Sequence, residues 1–77
     1  MRVKLIYTGY LKFDGVESGS HIDLAEGTTV GDVLTRFRVA PEQQRFLRLF
    51  ANDQKTDPSR VIKDGDELTI IMQIGGG

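Results

Sequence analysis

The sequence predicts an α+β fold in which a mixed sheet of four to five strands packs against one main helix. Three observations support this prediction. Apolar and polar residues alternate near both ends of the chain, which is the period of a half-buried strand, and an apolar stripe with helical spacing lies between them. With 77 residues, the chain has room for one small domain with one core.

The N-terminal stretch predicts the first strand. Val3, Leu5 and Tyr7 alternate with the residues between them, and Gly9 ends the pattern. Because successive side chains of a strand point to opposite faces, Ile6 is expected to face away from the core.

A second strand is predicted at residues 21–24, after a loop. Residues 10–20 contain Asp-Gly and Ser-Gly-Ser sequences, which are typical of turns, so we expect a long connection with at most an irregular helical turn. Residues 21–24 alternate again and are expected to pair antiparallel with the first strand. The single histidine, His21, is interpreted as a strand residue, because the sequence offers it no partner for acid–base catalysis.

The main helix is predicted to begin after Thr29. Thr29 and Asp32 have the spacing of a capping box, in which each side chain accepts a hydrogen bond from the other residue's backbone. The apolar stripe of the helix consists of Val30, Val33, Leu34 and Phe37. Its i, i+3, i+4, i+7 spacing directs one face of the helix toward a sheet.

A short helical turn and a third strand are predicted next. Pro41 suits the first position of a helical turn, and residues 46–51 have the composition of a strand. Two arrangements remain open for this strand. Either Leu47 and Leu49 face the core and Phe50 lies outside, or the reverse holds, because a shift of one residue exchanges the two faces.

Turn residues dominate the segment before the last strand. Residues 52–58 are polar, residues 59–62 predict a short turn or edge strand that adds apolar cover, and Asp64-Gly65-Asp66 predicts a tight turn. Two carboxylates beside a glycine also suggest a metal site, but turn chemistry explains them more simply. We therefore predict no metal site and no catalytic residue in this chain.

The last strand is predicted at residues 67–74. Its inner face is expected to consist of Leu68, Ile70 and Met72. Ile71 would then lie on the outer face, beside Ile6 if the first and last strands are neighbours. That pairing would be parallel and central, which is the arrangement of a ββαββ β-grasp sheet with the helix across one face. The β-grasp domain is expected to span residues 1–74.

Composition and charge exclude several classes of protein. The absence of cysteine excludes disulfides, thiolate nucleophiles and thiolate metal sites. Ten basic and eleven acidic residues give a formal charge of −1 without a long run of one sign, which argues against a nucleic-acid partner. The N-terminus is unlike a signal peptide, and no segment approaches membrane-spanning length. We expect a cytoplasmic protein that binds no membrane.

Three consecutive glycines, Gly75, Gly76 and Gly77, finish the sequence. Without Cβ atoms they would form a flexible thread of up to roughly 10 Å that fits a channel too narrow for side chains. The α-carboxylate of Gly77 would then be the reacting group. A simpler alternative is that the glycines have no role, because chain ends are often glycine-rich.

An exposed apolar patch is predicted from Ile6, Phe50 and Ile71, all of which would lie on the outer face of the sheet. An apolar cluster on a surface usually marks a site where a partner protein docks. Scattered exposed apolar residues are also common, so the alternative is that these three side chains have no shared role.

The order and spacing of these elements resemble the MoaD/ThiS family of ubiquitin-like sulfur carriers, which includes the small subunit of molybdopterin synthase and the thiamine-pathway carrier. The resemblance rests on Thr29-Val30-Gly31-Asp32-Val33-Leu34, Phe50-Ala51-Asn52-Asp53, Asp64-Gly65-Asp66-Glu67-Leu68 and Gly76-Gly77. The resemblance extends over nearly the whole chain. A proline pair that is common near the tail in the molybdopterin branch is absent, so the branch stays open.

The resemblance implies a function that needs no catalytic residue in this chain. An ATP-dependent adenylyltransferase similar to the ubiquitin-activating enzymes would adenylate the Gly77 carboxylate, and sulfur would displace AMP to give a C-terminal thiocarboxylate. The carrier would donate this sulfur inside the large subunit of molybdopterin synthase or a thiazole synthase. It would bind no cofactor itself, because ATP is used by the activating enzyme.

Two other functions remain compatible with the sequence. The chain could be a ubiquitin-like modifier that is conjugated through Gly77 to lysines of target proteins. It could also be a non-catalytic β-grasp binding module in which the glycine tail has no chemistry.

Overall fold

The structure, a computed structural model, describes residues 1–8, 11, 13 and 15–72. The elements within these residues follow the order β1 (Arg2–Thr8), β2 (Ser20–Asp23), α1 (Val30–Arg36), α2 (Pro41–Gln44), β3 (Leu47–Ala51), β4 (Gln54–Lys55) and β5 (Glu67–Met72). Within the described residues the predicted helices and strands are present, and β4 lies in the segment that was predicted as a polar turn region. Residues 59–62 form no strand, and Val61 makes a single isolated bridge to Thr29. No helix in this part of the chain is long and apolar enough to cross a membrane.

The sheet has the strand order β2-β1-β5-β3-β4. The central strands β1 and β5 are parallel, with Leu5 across from Leu68, and every other neighbouring pair is antiparallel. A parallel pair of strands requires a crossover connection, and the connection between β1 and β5 contains both helices. This is the β-grasp arrangement, so the predicted fold class and the predicted central pairing are confirmed.

The core lies between α1 and the inner face of the sheet. The fully buried large side chains are Val3, Leu5, Val30, Val33, Leu34, Leu68 and Ile70. They come from β1, α1 and β5 at the positions that the alternation and the helical stripe predict. Burial of such a side chain stabilises the fold by about 1.5–3 kcal/mol. Tyr7, Phe37 and Met72, which were predicted to face inward, are partly buried and pack against this cluster.

The N-terminus of α1 is held by its own cap and by a neighbouring segment. The predicted capping box is present: Asp32 N donates to Thr29 Oγ1 at 3.1 Å, and Thr29 N donates to Asp32 Oδ2 at 2.9 Å. In addition, Gly31 N donates to the carbonyl of Pro58 at 2.9 Å. These bonds satisfy backbone donors that a helix start leaves without partners inside the helix. Residues 58–60 thus dock against the start of α1.

The two open arrangements of β3 are resolved in favour of the first. Leu49 and Ala51 are buried, and Leu47 packs against the core. Leu49 lies across from Ile70 on β5 and therefore shares its inner face. Phe50 faces outward, as that arrangement requires.

Two core residues in the β1–β2 connection were missed in the sequence. Leu11 and Phe13 are buried, and the ring of Phe13 lies 4.7 Å from that of Tyr7 and 4.6 Å from that of Phe37. Leu11 and Phe13 lie among turn residues, and no regular apolar period connects them to a strand or a helix. Their burial therefore could not be predicted from the sequence pattern. Leu11 and Phe13 thus extend the core beyond the residues of the helices and strands.

Candidate functional site

The outer face of the sheet carries the predicted patch. Ile6 on β1 and Phe50 on β3 both lie across from Thr69 on β5, one on each side. Neighbouring strands are about 4.8 Å apart, so the Cα atoms of these two residues are separated by about 10 Å, with Thr69 between them. Ile71 lies two residues further along β5 on the same face. The sheet therefore brings all three side chains onto one continuous surface.

The three patch residues are half-buried, so each side chain offers part of its apolar surface to solvent. Pairing between β1, β5 and β3 fixes their relative positions, since each strand is bonded to its neighbour along several residues. A preformed surface of this kind loses little conformational entropy when a partner binds. We refer to Ile6, Phe50 and Ile71 as the outer patch.

Charged residues lie beside the outer patch in the register of the sheet. Arg48 is across from Ile71, Lys55 is across from Phe50, and Lys4 is across from Glu67. Arg48 and Lys55 are exposed. The patch is therefore flanked by polar side chains, as is typical of a protein-docking surface with an apolar centre.

The described part of β5 ends next to the outer patch. Met72, its last residue, lies across from Leu47 and directly follows Ile71. The predicted tail residues Gly75, Gly76 and Gly77, together with the end of the predicted last strand at residues 73–74, lie outside the described residues.

A polar cluster, separate from the outer patch, surrounds Asp66, which is buried in the turn before β5. Its carboxylate accepts hydrogen bonds from Lys63 N at 2.8 Å and from Asn52 Nδ2 at 2.8 Å. It also forms an ion pair with Arg60, at 3.3 Å between Nη2 and Oδ2. Burial raises the pKa of Asp66, but these hydrogen bonds and the charge of Arg60 outweigh burial, and the pKa is lowered overall.

The Asp66 cluster has the geometry of a structural site. The neighbouring Asp64 accepts a hydrogen bond from Arg2 N at 2.8 Å, so both carboxylates of the Asp64-Gly65-Asp66 turn bind donors of the protein itself. The guanidinium group of Arg60 is held by Asp66. His21 lies exposed on β2 across from Lys4.

The contact of Asn52 with Asp66 was not predicted from the sequence, although Asn52 begins the polar turn region that was predicted at residues 52–58. It occupies the β3–β4 turn with φ 53°, and Asp53 follows with φ 66°. An Asn-Asp pair between two short strands is a signal for a two-residue turn with both residues in the left-handed region, and this signal could have identified β4 after the turn.

Solved structures with the same fold include three ubiquitin-like proteins. SAMP1 from Haloferax volcanii is 20% identical with a TM-score of 0.70, and the full length of both chains is covered. The complex of subunits 1 and 2 of molybdopterin-converting factor from Helicobacter pylori 26695 contains a chain 22% identical with a TM-score of 0.63, again over the full length of both. A Caldiarchaeum subterraneum ubiquitin is 23% identical with a TM-score of 0.53, covering 100% of this chain and 98% of that one. At these identities the similarity shows the β-grasp fold.

Comparison at the level of sequence identifies the family. No curated protein gives a significant match. The sequence model of the ThiS family matches residues 5–77, which is nearly the whole chain and includes the motifs on which the predicted resemblance rests. This chain therefore belongs to the ThiS family of ubiquitin-like sulfur carriers.

Proposed function

We propose that this chain carries sulfur as a thiocarboxylate at Gly77 and donates it in the biosynthesis of a cofactor. The single observation that carries the proposal is the extent of the family match, which continues through the terminal glycines to residue 77. The chain has no cysteine, so the sulfur must come from another molecule. The proposed site of action is the cytoplasm.

The proposed chemistry takes place in two steps on a partner enzyme. A carboxylate oxygen of Gly77 attacks the α-phosphorus of ATP and pyrophosphate leaves, which gives an acyl adenylate. A hydrosulfide equivalent then attacks the acyl carbon, AMP leaves with the electron pair of the C–O bond, and the new C–S bond remains as a thiocarboxylate. Adenylation makes the acyl carbon reactive, since AMP is a far better leaving group than oxide.

In this proposal the chain is a carrier and co-substrate, and the rate acceleration comes from its partners. The first partner is an adenylyltransferase similar to the ubiquitin-activating enzymes, which binds and consumes the ATP. The second is an enzyme that receives sulfur. The Helicobacter pylori relative is a complex of two subunits of molybdopterin-converting factor, which supports a larger synthase subunit as this second partner. A thiazole synthase is the alternative for a member of the ThiS family.

The outer patch is proposed as the surface that both partners contact. Ile6, Phe50 and Ile71 are held on one rigid face, and an apolar centre with a polar rim is the usual composition of a docking surface. The five residues after Met72 extend at most about 17 Å. A partner seated on the patch would thus have the Gly77 carboxylate within reach of an active site close to its docking surface.

A second candidate function is protein modification. An activated Gly77 could acylate a lysine amine of another protein instead of a sulfur nucleophile, and a ubiquitin shares the fold of this chain. Both functions need the same acyl adenylate at Gly77. They differ in the nucleophile that attacks it, which is sulfur for the carrier and a lysine amine for the modifier.

Intact mass spectrometry tests the proposed function. The chain is incubated with an adenylyltransferase of the same organism, ATP and sulfide, and we expect a mass increase that corresponds to replacement of one oxygen by sulfur. The control is the variant that lacks Gly77, whose mass should stay unchanged. An unchanged mass of the intact chain, in an assay that converts an established carrier, contradicts the proposal. A ladder of Gly77-dependent conjugates in cell extract would favour the modifier.

A further inference from the structure

An exposed arginine, Arg45, lies near the end of β5. Leu47, the first residue of β3, is across from Met72, the last described residue of β5, and Arg45 lies two residues before Leu47. Paired residues of antiparallel strands are about 5 Å apart, and two residues span at most about 7 Å. The Cα atom of Arg45 therefore lies within about 12 Å of that of Met72.

A second exposed arginine, Arg38, is held close to Arg45 by the short segment between α1 and β3. Gln44 Nε2 donates to the carbonyl of Val39 at 3.2 Å, and Gln44 N donates to the carbonyl of Ala40 at 3.1 Å. These bonds draw the two ends of the segment together. Since Arg38 precedes Val39 and Arg45 follows Gln44, the two arginines flank the closed segment. We refer to Arg38 and Arg45 as the arginine pair.

The guanidinium groups of the arginine pair have no anion of their own. In the part of the chain that the structure describes, neither of them has a carboxylate or another hydrogen-bond acceptor, and Glu42 on the intervening α2 forms no ion pair with them. Arg45 lies over the ring of Phe46, with 5.0 Å from Cζ to the ring centroid. This cation–π contact limits the positions of the Arg45 side chain. The result is a partly preorganised site for an anion.

The backbone of Arg38 provides an independent observation. Its φ is 61°, and the following Val39 N donates to the carbonyl of Leu34 at 2.9 Å. This is the Schellman ending of a helix, in which glycine is the usual residue at the left-handed position. A side chain at that position is strained, because its Cβ atom approaches a carbonyl oxygen. Backbone strain of this kind is concentrated at functional sites, so the guanidinium of Arg38 is expected to have a ligand.

We propose that in the free chain the α-carboxylate of Gly77 forms an ion pair with Arg45 and Arg38, which withholds the tail until an enzyme binds. Five residues follow Met72 and extend at most about 17 Å, so the carboxylate can reach both guanidinium groups. Glycine permits the necessary turn, because it adopts left-handed and right-handed conformations about equally. The planar fork of arginine matches a carboxylate with two parallel hydrogen bonds.

A carboxylate of the same chain fits the arginine pair better than a carboxylate of a partner. A short flexible connection gives an attached group an effective concentration in the millimolar range, which a free protein rarely reaches. The thiocarboxylate keeps the negative charge, so the same ion pair holds the loaded tail. The acyl adenylate loses it at the acyl carbon, because that oxygen is bonded to phosphorus. The ion pair itself does not depend on the proposed function, but its effect on sulfur transfer does.

The order parameter of the Gly77 amide, from 15N relaxation, tests the ion pair without any enzyme. It is measured for the wild-type chain, Arg45→Gln, Arg38→Gly and the control Lys63→Gln. Lys63 is exposed and lies before the start of β5, at the other end of the strand. We expect the order parameter to fall in both arginine variants and to stay unchanged in the control. Arg38→Gly relieves the left-handed backbone and should therefore stay folded, which urea unfolding verifies.

A chain with a C-terminal carboxamide is the second control, because it removes the charge of Gly77 and leaves every residue in place. Its order parameter at Gly77 should fall to the value of Arg45→Gln. Addition of Arg45→Gln to the carboxamide chain should have no further effect, since both changes remove the same interaction.

ATP–pyrophosphate exchange with the adenylyltransferase measures the effect on activation. An exposed ion pair changes an equilibrium by up to about fivefold. Since only chains with a released tail bind productively, the KM of Arg45→Gln and Arg38→Gly should fall by about threefold, with kcat unchanged. The KM of Lys63→Gln should equal that of wild type.

The outcomes separate this inference from the proposed function. If the order parameter of Gly77 is the same in the wild type, the arginine variants and the carboxamide chain, the ion pair does not form, although an adenylated chain would keep the proposed function. A KM that rises in Arg45→Gln or Arg38→Gly would place the arginine pair in the enzyme interface and overturn its role in withholding the tail. If the order parameters fall as expected but the wild-type chain is never adenylated, the ion pair stands and the proposed function is wrong.

Discussion

The side-chain amide of Asn52 donates a hydrogen bond to the carboxylate of Asp66, with 2.8 Å between Nδ2 and Oδ1. The carbonyl oxygen of the same amide accepts a hydrogen bond from Glu67 N at 2.9 Å. Asn52 thereby joins the β3–β4 turn to the first residue of β5. Its φ of 53° lies in the left-handed region, which asparagine tolerates better than most residues.

Replacement of Asn52 by alanine should lower the free energy of unfolding by about 2–3 kcal/mol. The buried Asp66 loses a donor, and alanine adds strain of about 1 kcal/mol in the left-handed region. Urea unfolding measures the change. Asn52→Gly is the control, because glycine removes the hydrogen bonds without the strain and should cost about 1 kcal/mol less than alanine. Equal stability of the alanine variant and wild type would contradict the prediction.

Stability should depend on pH through Asp66. Its pKa is lowered in the folded protein, while an aspartate in the unfolded chain titrates at about 3.9. The unfolded state therefore binds the proton first as the pH falls, so the contribution of Asp66 is complete above pH of about 5 and is lost as the pH falls through the folded pKa. The free energy of unfolding should therefore decrease as the pH falls across this range.

The variant Asp66→Asn isolates this contribution from that of the other carboxylates. At neutral pH it should be about 1–3 kcal/mol less stable than wild type, because the uncharged amide is a weaker partner for Arg60 and the backbone N–H of Lys63. The difference should narrow as the pH is lowered toward about 3, which urea unfolding at several pH values measures. A difference that is constant with pH would mean that the pKa of Asp66 is the same in the folded and the unfolded state.

Replacement of Gly31 by alanine should destabilise the protein, although alanine favours helices by about 1 kcal/mol over glycine. A Cβ atom at Gly31 would lie 3.1 Å from the carbonyl oxygen of Pro58 and 3.3 Å from its Cβ. To relieve these contacts, the backbone at Pro58 would have to move, and its carbonyl oxygen accepts the hydrogen bond from Gly31 N. We expect a net loss of about 1 kcal/mol in urea unfolding.

Thr35 provides the matched control, because it is exposed on the same helix. Thr35→Ala should stabilise the protein by a few tenths of a kcal/mol, about the difference in helix propensity. If Gly31→Ala proves as stabilising as Thr35→Ala, residues 58–60 are not packed closely against the start of α1.

Replacement of Phe50 by alanine should weaken the partner interaction and leave the protein folded. Phe50 is half-buried in the outer patch and contributes less to the core than the inward residues of β3. Truncation of a central aromatic residue commonly costs about 1–2 kcal/mol of binding, so the KM for adenylation should rise by roughly tenfold. Val61→Ala is the control, since Val61 is 52% exposed but lies next to Thr29, away from the outer face. An equal KM for the two variants would exclude the outer patch from docking.

The polar residues of the Asp66 cluster show where prediction from sequence ended. The Asp64-Gly65-Asp66 turn was recognised from its composition, because turn chemistry acts over a few neighbouring residues. The bonds from Asn52 and Arg60 to Asp66 join residues 14 and 6 positions apart in the chain. Such contacts have no periodic signature, so the burial of this carboxylate could not be predicted from the sequence.

Local interactions explain what the sequence by itself determined. The capping box of Thr29 and Asp32, the apolar stripe of α1 and the alternation of β1 and β5 involve residues within one or two turns or along one strand, so they can be identified from spacing alone. The order and spacing of these elements also predicted the fold class and the family correctly.

Only the tertiary structure decided which residues meet across the sheet. The inward face of β3 was fixed by its register with β5. Leu11 and Phe13 became core residues through packing against remote parts of the chain, as the stacking of Phe13 on Phe37 shows. The side-by-side arrangement of Ile6 and Phe50 across Thr69 depends on three strands that are distant in sequence. The cause is the same in each case. These contacts are stabilised by burial and strand pairing between remote segments, so local propensities do not predict them.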